Sequence, residues 1–264
     1  MHLQLQDKAA LVTGSTAGIG FATAKLLAAE GATVYLNGRT QKRIDEAIAL
    51  IKQEHPHAEL QGIPADFSKV AEVSNLIRQI PGVDILINNV AIFEPKAFVD
   101  IADEDWIKFY EVNVLSGIRL SRHYFPLMLK KDWGRIIFIS SESAINIPEE
   151  MIHYGMTKTA QLAISRGLAE LTKGTNVTVN AVLPGPTKSE GAEGFIEHLG
   201  KQQNKLREQV EKEFFQSARP TSLLQRFAST DEIANLIVYV ASPVSSATNG
   251  AALRVDGGVV KLVI

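Results

Sequence analysis

Thr13-Gly14-Ser15-Thr16-Ala17-Gly18-Ile19-Gly20 follows a short apolar run at residues 8–13 and opens a segment of helical period. Gly14 permits a tight turn, while Gly18 and Gly20 let backbone and helix approach a pyrophosphate, whose charge a helix N-terminus favours. Glycine spacing alone is weak evidence. After a strand, before a helix and near the amino terminus, it reads as a dinucleotide-binding turn, with an ordinary strand-to-helix turn as the competing reading.

Outward from this turn the chain repeats one beat. Short runs rich in β-branched residues recur at residues 8–13, 33–36, 59–63, 84–88, 135–140 and 177–183, with a last short one at 253–255. Segments of helical period lie between them, at 19–30, 41–54, 70–80, 105–129, 152–173 and 231–241, the last with Thr230 or Asp231 near its N-cap. Such alternation calls for parallel strands joined by right-handed helical crossovers. The expected fold is α/β, a doubly wound parallel sheet of about seven strands with helices on both faces. No repeat, low-complexity tract or linker divides it, so residues 1–264 read as a single domain.

Residues 189–217 break the rhythm. They insert charged, helix-prone sequence where a few residues would suffice. Phe195, Leu199, Leu206, Val210, Phe214 and Phe215 form an apolar stripe within it. This is either a helical pair packed on the surface or a lid over a substrate pocket.

Composition excludes several classes of function. The 264 residues are 45% hydrophobic and 21% charged, as in a soluble globular protein with a sizeable core. A formal net charge of -2 leaves no electrostatic footprint for nucleic acid or an anionic membrane, so a small molecule is the expected partner. With no cysteine, disulfides, thiolate metal sites and cysteine nucleophiles are ruled out, and a reducing cytoplasm is permitted. The amino-terminal MHLQLQDK lacks a secretion pattern, and no run approaches the length of a membrane span. The six histidines show no spacing with carboxylates that suggests a zinc site, so no metal is expected.

The second strand ends Tyr35-Leu36-Asn37-Gly38-Arg39, where an NAD site usually offers a carboxylate to the ribose hydroxyls. A carboxylate would repel a 2′-phosphate, whereas Arg39 can bind one, with Lys42 or Arg43 nearby. The expectation is NADP. NAD held through Asn37 and backbone is the alternative.

Tyr154 and Lys158 stand four apart in a helical segment, so both lie on one face. At an effective dielectric of about 20, a unit charge about 5 Å away is worth roughly 3 kcal/mol, or about two pKa units. A phenol starting near ~10 would then titrate nearer ~8, within reach of general acid-base work. Alone, the pair reads first as a half-buried tyrosine beside a snorkelling lysine. Ser141, thirteen residues upstream at a strand end, supplies the third polar group.

Together these motifs resemble the short-chain dehydrogenase/reductase family in its single-domain branch, over essentially the whole chain. The resemblance rests on TGSTAGIG at residues 13–20, Asp66 after the third strand, NNVA at 88–91, Asn113, Ser141, Tyr154-Gly-Met-Thr-Lys158 and Pro184-Gly185. It implies a Rossmann fold and NAD(P)-dependent hydride transfer between a carbonyl and a secondary alcohol. Tyr154 would be the acid-base, Ser141 would hydrogen-bond the carbonyl, and Lys158 would lower the tyrosine pKa and hold the nicotinamide ribose. Asn113 would support a water leading to Lys158. The implied cofactor contacts are Gly14, Ser15, Thr16, Gly18, Ile19, Gly20, Arg39, Asp66 on the adenine, Asn89 on the adenosine side, Tyr154, Lys158, Pro184, Gly185 and Thr187. Two departures stand out. Val90-Ala91 adds side-chain bulk where the family has Ala-Gly, and Pro184-Gly185-Pro186-Thr187-Lys188-Ser189 keeps a hydroxyl in place of the family's threonine.

A 3-oxoacyl-thioester reductase is the runner-up within the resemblance, with Lys130 and Lys131 as candidates for docking an acidic carrier protein. A dinucleotide-binding sensor or scaffold without turnover is a reading of another class, opposed by the intact Ser141, Tyr154 and Lys158. Phe93, Ile145, Ile147, Met151, Phe195 and Phe214 are expected to form an apolar pocket wall for a hydrophobic substrate, with Glu142, Glu149 and Glu150 near in sequence. The apolar stretch 259–264 is expected at a subunit contact, and the family suggests a homotetramer.

Overall fold

The side chains of adjacent strands sort alternately to the two faces of one sheet, and that alternation builds the core. The computed structural model describes residues 2–263; at Phe195, His198, Leu199 and Gln202 only the backbone is described, so the expectations for Phe195, Leu199 and Ile264 side chains lie outside the described residues. Among these residues seven strands run parallel: β1 (Ala9–Val12), β2 (Thr33–Gly38), β3 (Leu60–Pro64), β4 (Ile85–Asn88), β5 (Gly134–Ile139), β6 (Val177–Pro184) and β7 (Ala252–Val255). Their order is β3-β2-β1-β4-β5-β6-β7. Ala10 lies opposite both Val34 and Ile85, and Phe138 lies opposite Ala181.

Helices α1 (Gly18–Ala29), α2 (Gln41–Glu54) and α9 (Thr230–Ala241) cover one face, where Val12, Ile87, Ile137 and Val182 meet Leu27, Ile44 and Ile237. Helices α3 (Val70–Gln79), α5 (Ser116–Lys131) and α6 (Ile152–Glu170) cover the other, where Leu11, Leu86, Phe138 and Leu183 meet Leu76, Leu120 and Tyr124. Each fully buried large side chain contributes roughly 1.5–3 kcal/mol over its exposed state. Both faces are therefore needed, which is why the strands read as near-continuous apolar runs. The chain reverses its direction of winding between β1 and β4. That switch point opens a crevice at the carboxyl ends of the strands, where ligands bind in such sheets.

Three details differ from the sequence expectation. The segment 105–129 is not one helix: α4 (Asp103–Tyr110) passes through a π-turn at Glu111–Leu115 before α5 begins. The N-cap of α9 is Ser229, whose Oγ accepts from Glu232 N at 3.1 Å while the Glu232 carboxylate accepts from Ser229 N at 2.7 Å. This reciprocal capping box outcompetes a Thr230 or Asp231 cap because it satisfies two donors at once. Finally, Val259 and Val260 are buried within the chain itself, leaving Leu262 and Val263 exposed. Asp256 explains this, its carboxylate accepting from Gly258 N and Val260 N and folding the segment back.

The inserted segment forms α7 (Glu190–Gln203) and α8 (Arg207–Ser217), joined through Asn204 in a left-handed conformation. Phe214 and Phe215 pack with Phe227 at ring-centroid distances of 5.2 and 5.1 Å, which ties α8 to the body of the molecule.

Candidate active site

The glycine turn is rigid because the polar side chains around it bond inward. Gly14 and Gly18 both have left-handed φ, 61° and 58°, which only glycine adopts without strain. A Cβ on Gly20 would lie 2.3 Å from Gly14 O and 2.5 Å from Asn89 Nδ2, so the first turn of α1 presses directly on the loop. Ser15 is fully buried, and its Oγ accepts from Asn37 N at 2.9 Å. Asn89 donates from Nδ2 to Thr13 O and Gly14 O at 2.9 and 3.1 Å. The side chains of Ser15 and Asn89 thus brace the turn, and Asn89 does so while lining the adjoining cavity. Thr16 packs beside Gly38, and the face of Gly14 meets Val90 Cγ2, so the bulk of Val90 is absorbed by this packing while Ala91 lines the cavity.

The start of α1 is suited to an anion. Ala17 gives no side-chain cap, and the first turn carries no acidic residue. Its orphan N–H groups are the donors that a pyrophosphate would satisfy. Arg39 is exposed and makes no ion pair among the described residues. Arg43 instead reaches Glu190 of α7 at 2.7 Å, and Lys42 faces Glu46. Asn37, the sequence alternative for an NAD site, is buried: Oδ1 accepts from Gly14 N at 3.1 Å, and Nδ2 donates to Ile63 O and Ala65 O. Asp66 lies after β3, its carboxylate accepting from Ser68 N and Oγ at 2.9 and 2.8 Å; these bonds hold its pKa below the usual carboxylate value.

The reacting end is assembled from β5 and α6. Ser141 follows β5 as N-cap of a short turn, its Oγ accepting from Ser143 N at 3.1 Å. Tyr154 and Lys158 come from the first two turns of α6, and Phe93 meets the tyrosine ring edge-on at 6.2 Å. Lys158 is buried. Its Nζ donates to Ile139 O at 2.8 Å and lies 5.5 Å from the Tyr154 ring centroid. Burial pushes the Lys158 pKa down to about 7. Burial likewise pushes Tyr154 up to about 12, the Ser141 hydroxyl opposing the rise and the Glu142 charge adding to it. The sequence expectation of a tyrosine near ~8 therefore does not hold for the free protein. The loss of water outweighs a lysine that is itself desolvated and turned toward a carbonyl.

Asn113 sits in the π-turn, a feature frequent at functional sites. Its Oδ1 accepts from Ile92 N at 2.8 Å, and its Nδ2 donates to Ile92 O and Thr157 Oγ1. Between its backbone and Lys158 stands Gln161, which sequence reading missed. Gln161 Nε2 donates to Asn113 O at 2.6 Å, and its Oε1 accepts from Lys158 Nζ at 3.4 Å. The available signal was its i+3 position from Lys158 on the same helix face.

A cavity of about 640 Å³ joins these parts. Gly18, Ile19 and Asn89 line one end, and Ser141, Tyr154 and Lys158 line the centre with Pro184, Gly185 and Thr187. Ser15, Thr16, Arg39, Asp66 and Asn113 lie outside its wall. Phe93, Met151 and Phe214 face it as expected, while Ile145 and Ile147 do not: Ile147 packs instead beside Gly155. Glu142, near the pocket wall in sequence, is buried in that wall and pairs with Arg219, a residue beyond α8 that sequence reading did not select. Among the described residues no group of histidines and carboxylates could hold a metal, and no helix is long and apolar enough to cross a membrane.

A parallel sheet wound in this order, with a glycine turn at β1 and Ser, Tyr and Lys converging beyond β5, defines a nucleotide-dependent oxidoreductase class. The chain belongs to the short-chain dehydrogenase/reductase family, whose short chain dehydrogenase model matches residues 8–199. It is similar to the uncharacterized oxidoreductase YvaG of Bacillus subtilis (strain 168), 49% identical over 100% of both chains. It also resembles the 3-oxoacyl-[acyl-carrier-protein] reductase FabG of Aquifex aeolicus (strain VF5), 30% identical over 98% of this chain and 99% of that one. Among solved structures, L-sorbose reductase from Gluconobacter frateurii, complexed with NADPH and L-sorbose, superposes with a TM-score of 0.93 at 28% identity, covering 100% of each chain. The protein is an NAD(P)-dependent oxidoreductase interconverting a carbonyl and a secondary alcohol.

Proposed function

We propose that the protein works as an NADPH-dependent carbonyl reductase, with Ser141, Tyr154 and Lys158 as its catalytic residues. The observation that carries this reading is their convergence in one cavity whose far end is the glycine turn. A bound nicotinamide dinucleotide supplies the hydride. Gly14, Gly18, Ile19 and the amino end of α1 would hold its pyrophosphate, Lys158 its nicotinamide ribose, and Asp66 its adenine. Pro184, Gly185 and Thr187 would flank its nicotinamide end.

Within this site Ser141 hydrogen-bonds the substrate carbonyl oxygen and stabilises the charge that develops there. Tyr154 gives that oxygen its proton. A phenol held up at about 12 is protonated at neutral pH, as a proton donor must be. Asn113 and Gln161 position Lys158 from beneath.

Arg39, without an ion pair among the described residues, supports NADP over NAD, as does the burial of Asn37, whose amide is committed to backbone. Kinetics with both cofactors test it. Arg39→Ala should raise KM for NADPH by about tenfold or more, the loss of one charge-assisted pair, and leave NADH unaffected; an unchanged NADPH preference would sink the assignment.

Residues 1–264 act in this reading as one domain, with α7 and α8 as the substrate lid. The wall formed by Phe93, Met151 and Phe214 favours a substrate with an apolar portion. A homotetramer in the cytoplasm is the assembly we favour; exposed Phe98, Val99 and Ile107 on and before α4, and Leu262 and Val263, offer apolar surface for subunit contacts. Lys130 and Lys131, the candidates for docking a carrier protein, end α5 about the length of β5, roughly 20 Å, from Ser141, and Lys131 is paired with Asp84.

A further inference from the structure

Asn113 and Lys158 are joined by a side chain where the sequence led one to expect a water. Asn113, Lys158 and Gln161 are all buried. Asn113 spends its own side chain elsewhere: both Nδ2 donors are taken, by Ile92 O at 2.9 Å and Thr157 Oγ1 at 3.0 Å, and Oδ1 accepts from Ile92 N. What it turns toward α6 is its main-chain oxygen, which accepts from Gln161 Nε2 at 2.6 Å. The other end of the same amide, Oε1, accepts from Lys158 Nζ at 3.4 Å. Nζ has one further acceptor among the described residues, Ile139 O at 2.8 Å. One neutral side chain therefore spans the gap from the π-turn to the lysine. The elements packed about Lys158 also carry Tyr154 on α6, Glu142 paired with Arg219 beyond β5, and Glu111 paired with Arg119 on the π-turn, while His153 turns to Trp106 and Phe109. None of these bonds to Nζ among the described residues.

We infer that Gln161 is a positioning residue for the reduction: its amide, in place of a water, ties Lys158 to Asn113 and fixes where Nζ stands. The inference deepens the reductase reading and rests on it for the effect on turnover. An amide neither gives nor takes a proton near neutrality, so the tie carries position and no proton. It also offers Lys158 an acceptor that favours the charged form, against the burial that disfavours it. The π-turn thereby acts on the reacting end through two neighbours on α6. Thr157 holds the Asn113 side chain, and Gln161 passes the hold of the Asn113 carbonyl to Lys158.

Two substitutions separate a hydrogen-bonded tie from simple packing. Gln161→Met keeps the volume but sets an apolar group against Asn113 O and Lys158 Nζ. Gln161→Ala leaves between those two groups a polar space in which water can take up both bonds. With NADPH and ethyl acetoacetate, kcat of Gln161→Met should fall by about tenfold to a hundredfold, as for a displaced reacting group. The limb of its pH profile on which Lys158 loses its charge should move to lower pH, whereas Gln161→Ala should keep both kcat and limb nearer to wild type. Packing alone predicts the reverse order, because a cavity costs more than a volume-conserving exchange. Gln161→Ala as the poorer of the two, or Gln161→Met with wild-type kcat and limb, would overturn the assignment. Urea melts read the same tie without a substrate. Wild-type stability should begin to rise with pH near the folded pKa of Lys158, about 7, and that onset should move to lower pH in Gln161→Met and stay in place in Gln161→Ala. An onset unmoved in Gln161→Met would overturn the tie and leave the reductase reading standing. Wild type that binds NADPH in a direct titration yet reduces no carbonyl compound would overturn the reductase reading, and the melts would still decide the tie.

Discussion

The glycine turn and the reacting end line the same cavity yet treat their polar side chains in opposite ways. At the turn Thr13, Ser15, Asn37 and Asn89 all hydrogen-bond within the protein, mostly to backbone, and the surface offered to a ligand is main chain. At the reacting end burial pushes the Lys158 pKa down to about 7, Tyr154 is held protonated, and Glu142 has an oxygen without a partner among the described residues. The difference teaches that binding and chemistry place opposite demands on stability. A phosphate cradle works best when fully satisfied and stiff, whereas acid-base groups are tuned by being withdrawn from water.

Substitutions at each end should therefore fail differently. The largest effect is expected from Tyr154→Phe, which removes the proton donor without opening a cavity. Turnover should drop by roughly 10²–10⁴, while cofactor affinity, read by fluorescence titration, and thermal midpoint stay close to wild type; comparable turnover in the variant would break the assignment of the reacting end.

A smaller effect should appear in stability against pH. The folded pKa of Lys158 is depressed from 10.5 to about 7, so between pH 7 and pH 10 the unfolded chain holds a proton that the folded site has released. Stability contributed at this residue accordingly rises with pH across that window, at up to about 1.4 kcal/mol per pH unit. Denaturant melts of wild type and Lys158→Met should show this slope in the first and its loss in the second. Parallel pH profiles would mean that Lys158 is not desolvated as described. Above pH 10 Tyr154 acts in the other sense, because its raised pKa makes the folded state hold the extra proton up to about 12.

The smallest effect is expected at Ser15→Ala, and it should fall on folding rather than on catalysis. Losing the acceptor for Asn37 N costs about 1–3 kcal/mol, visible as a lower urea midpoint, while kcat stays within about twofold and KM for NADPH changes little. A selective rise in KM with unchanged stability would instead make Ser15 a direct cofactor contact.

Much of this was legible in the chain. Strand and helix positions followed from periodicity because burial on both faces of a parallel sheet leaves a strong apolar signature. The glycine turn and the Tyr-x-x-x-Lys spacing are local patterns, so sequence alone names Gly14, Gly18, Tyr154 and Lys158, of which Gly18, Tyr154 and Lys158 line one cavity. Less legible was the direction in which polar side chains point. Ser15 sits in the motif yet turns inward, and a continuous helix was expected where Asn113 bonds both polar groups of Ile92 and a π-turn forms.

By itself, then, the sequence determined the α/β winding, the cofactor turn and the identities of the acid-base residues, since each depends on spacing of a few residues along one element. Only the tertiary structure decided the protonation of Tyr154 and Lys158, the commitment of Asn37 and the pairing of Glu142 with Arg219, seventy-seven positions away. The physical reason is common to all of them. Hydration and hydrogen bonding are set by whatever packs against a group in space, and a one-dimensional pattern carries no record of that neighbour.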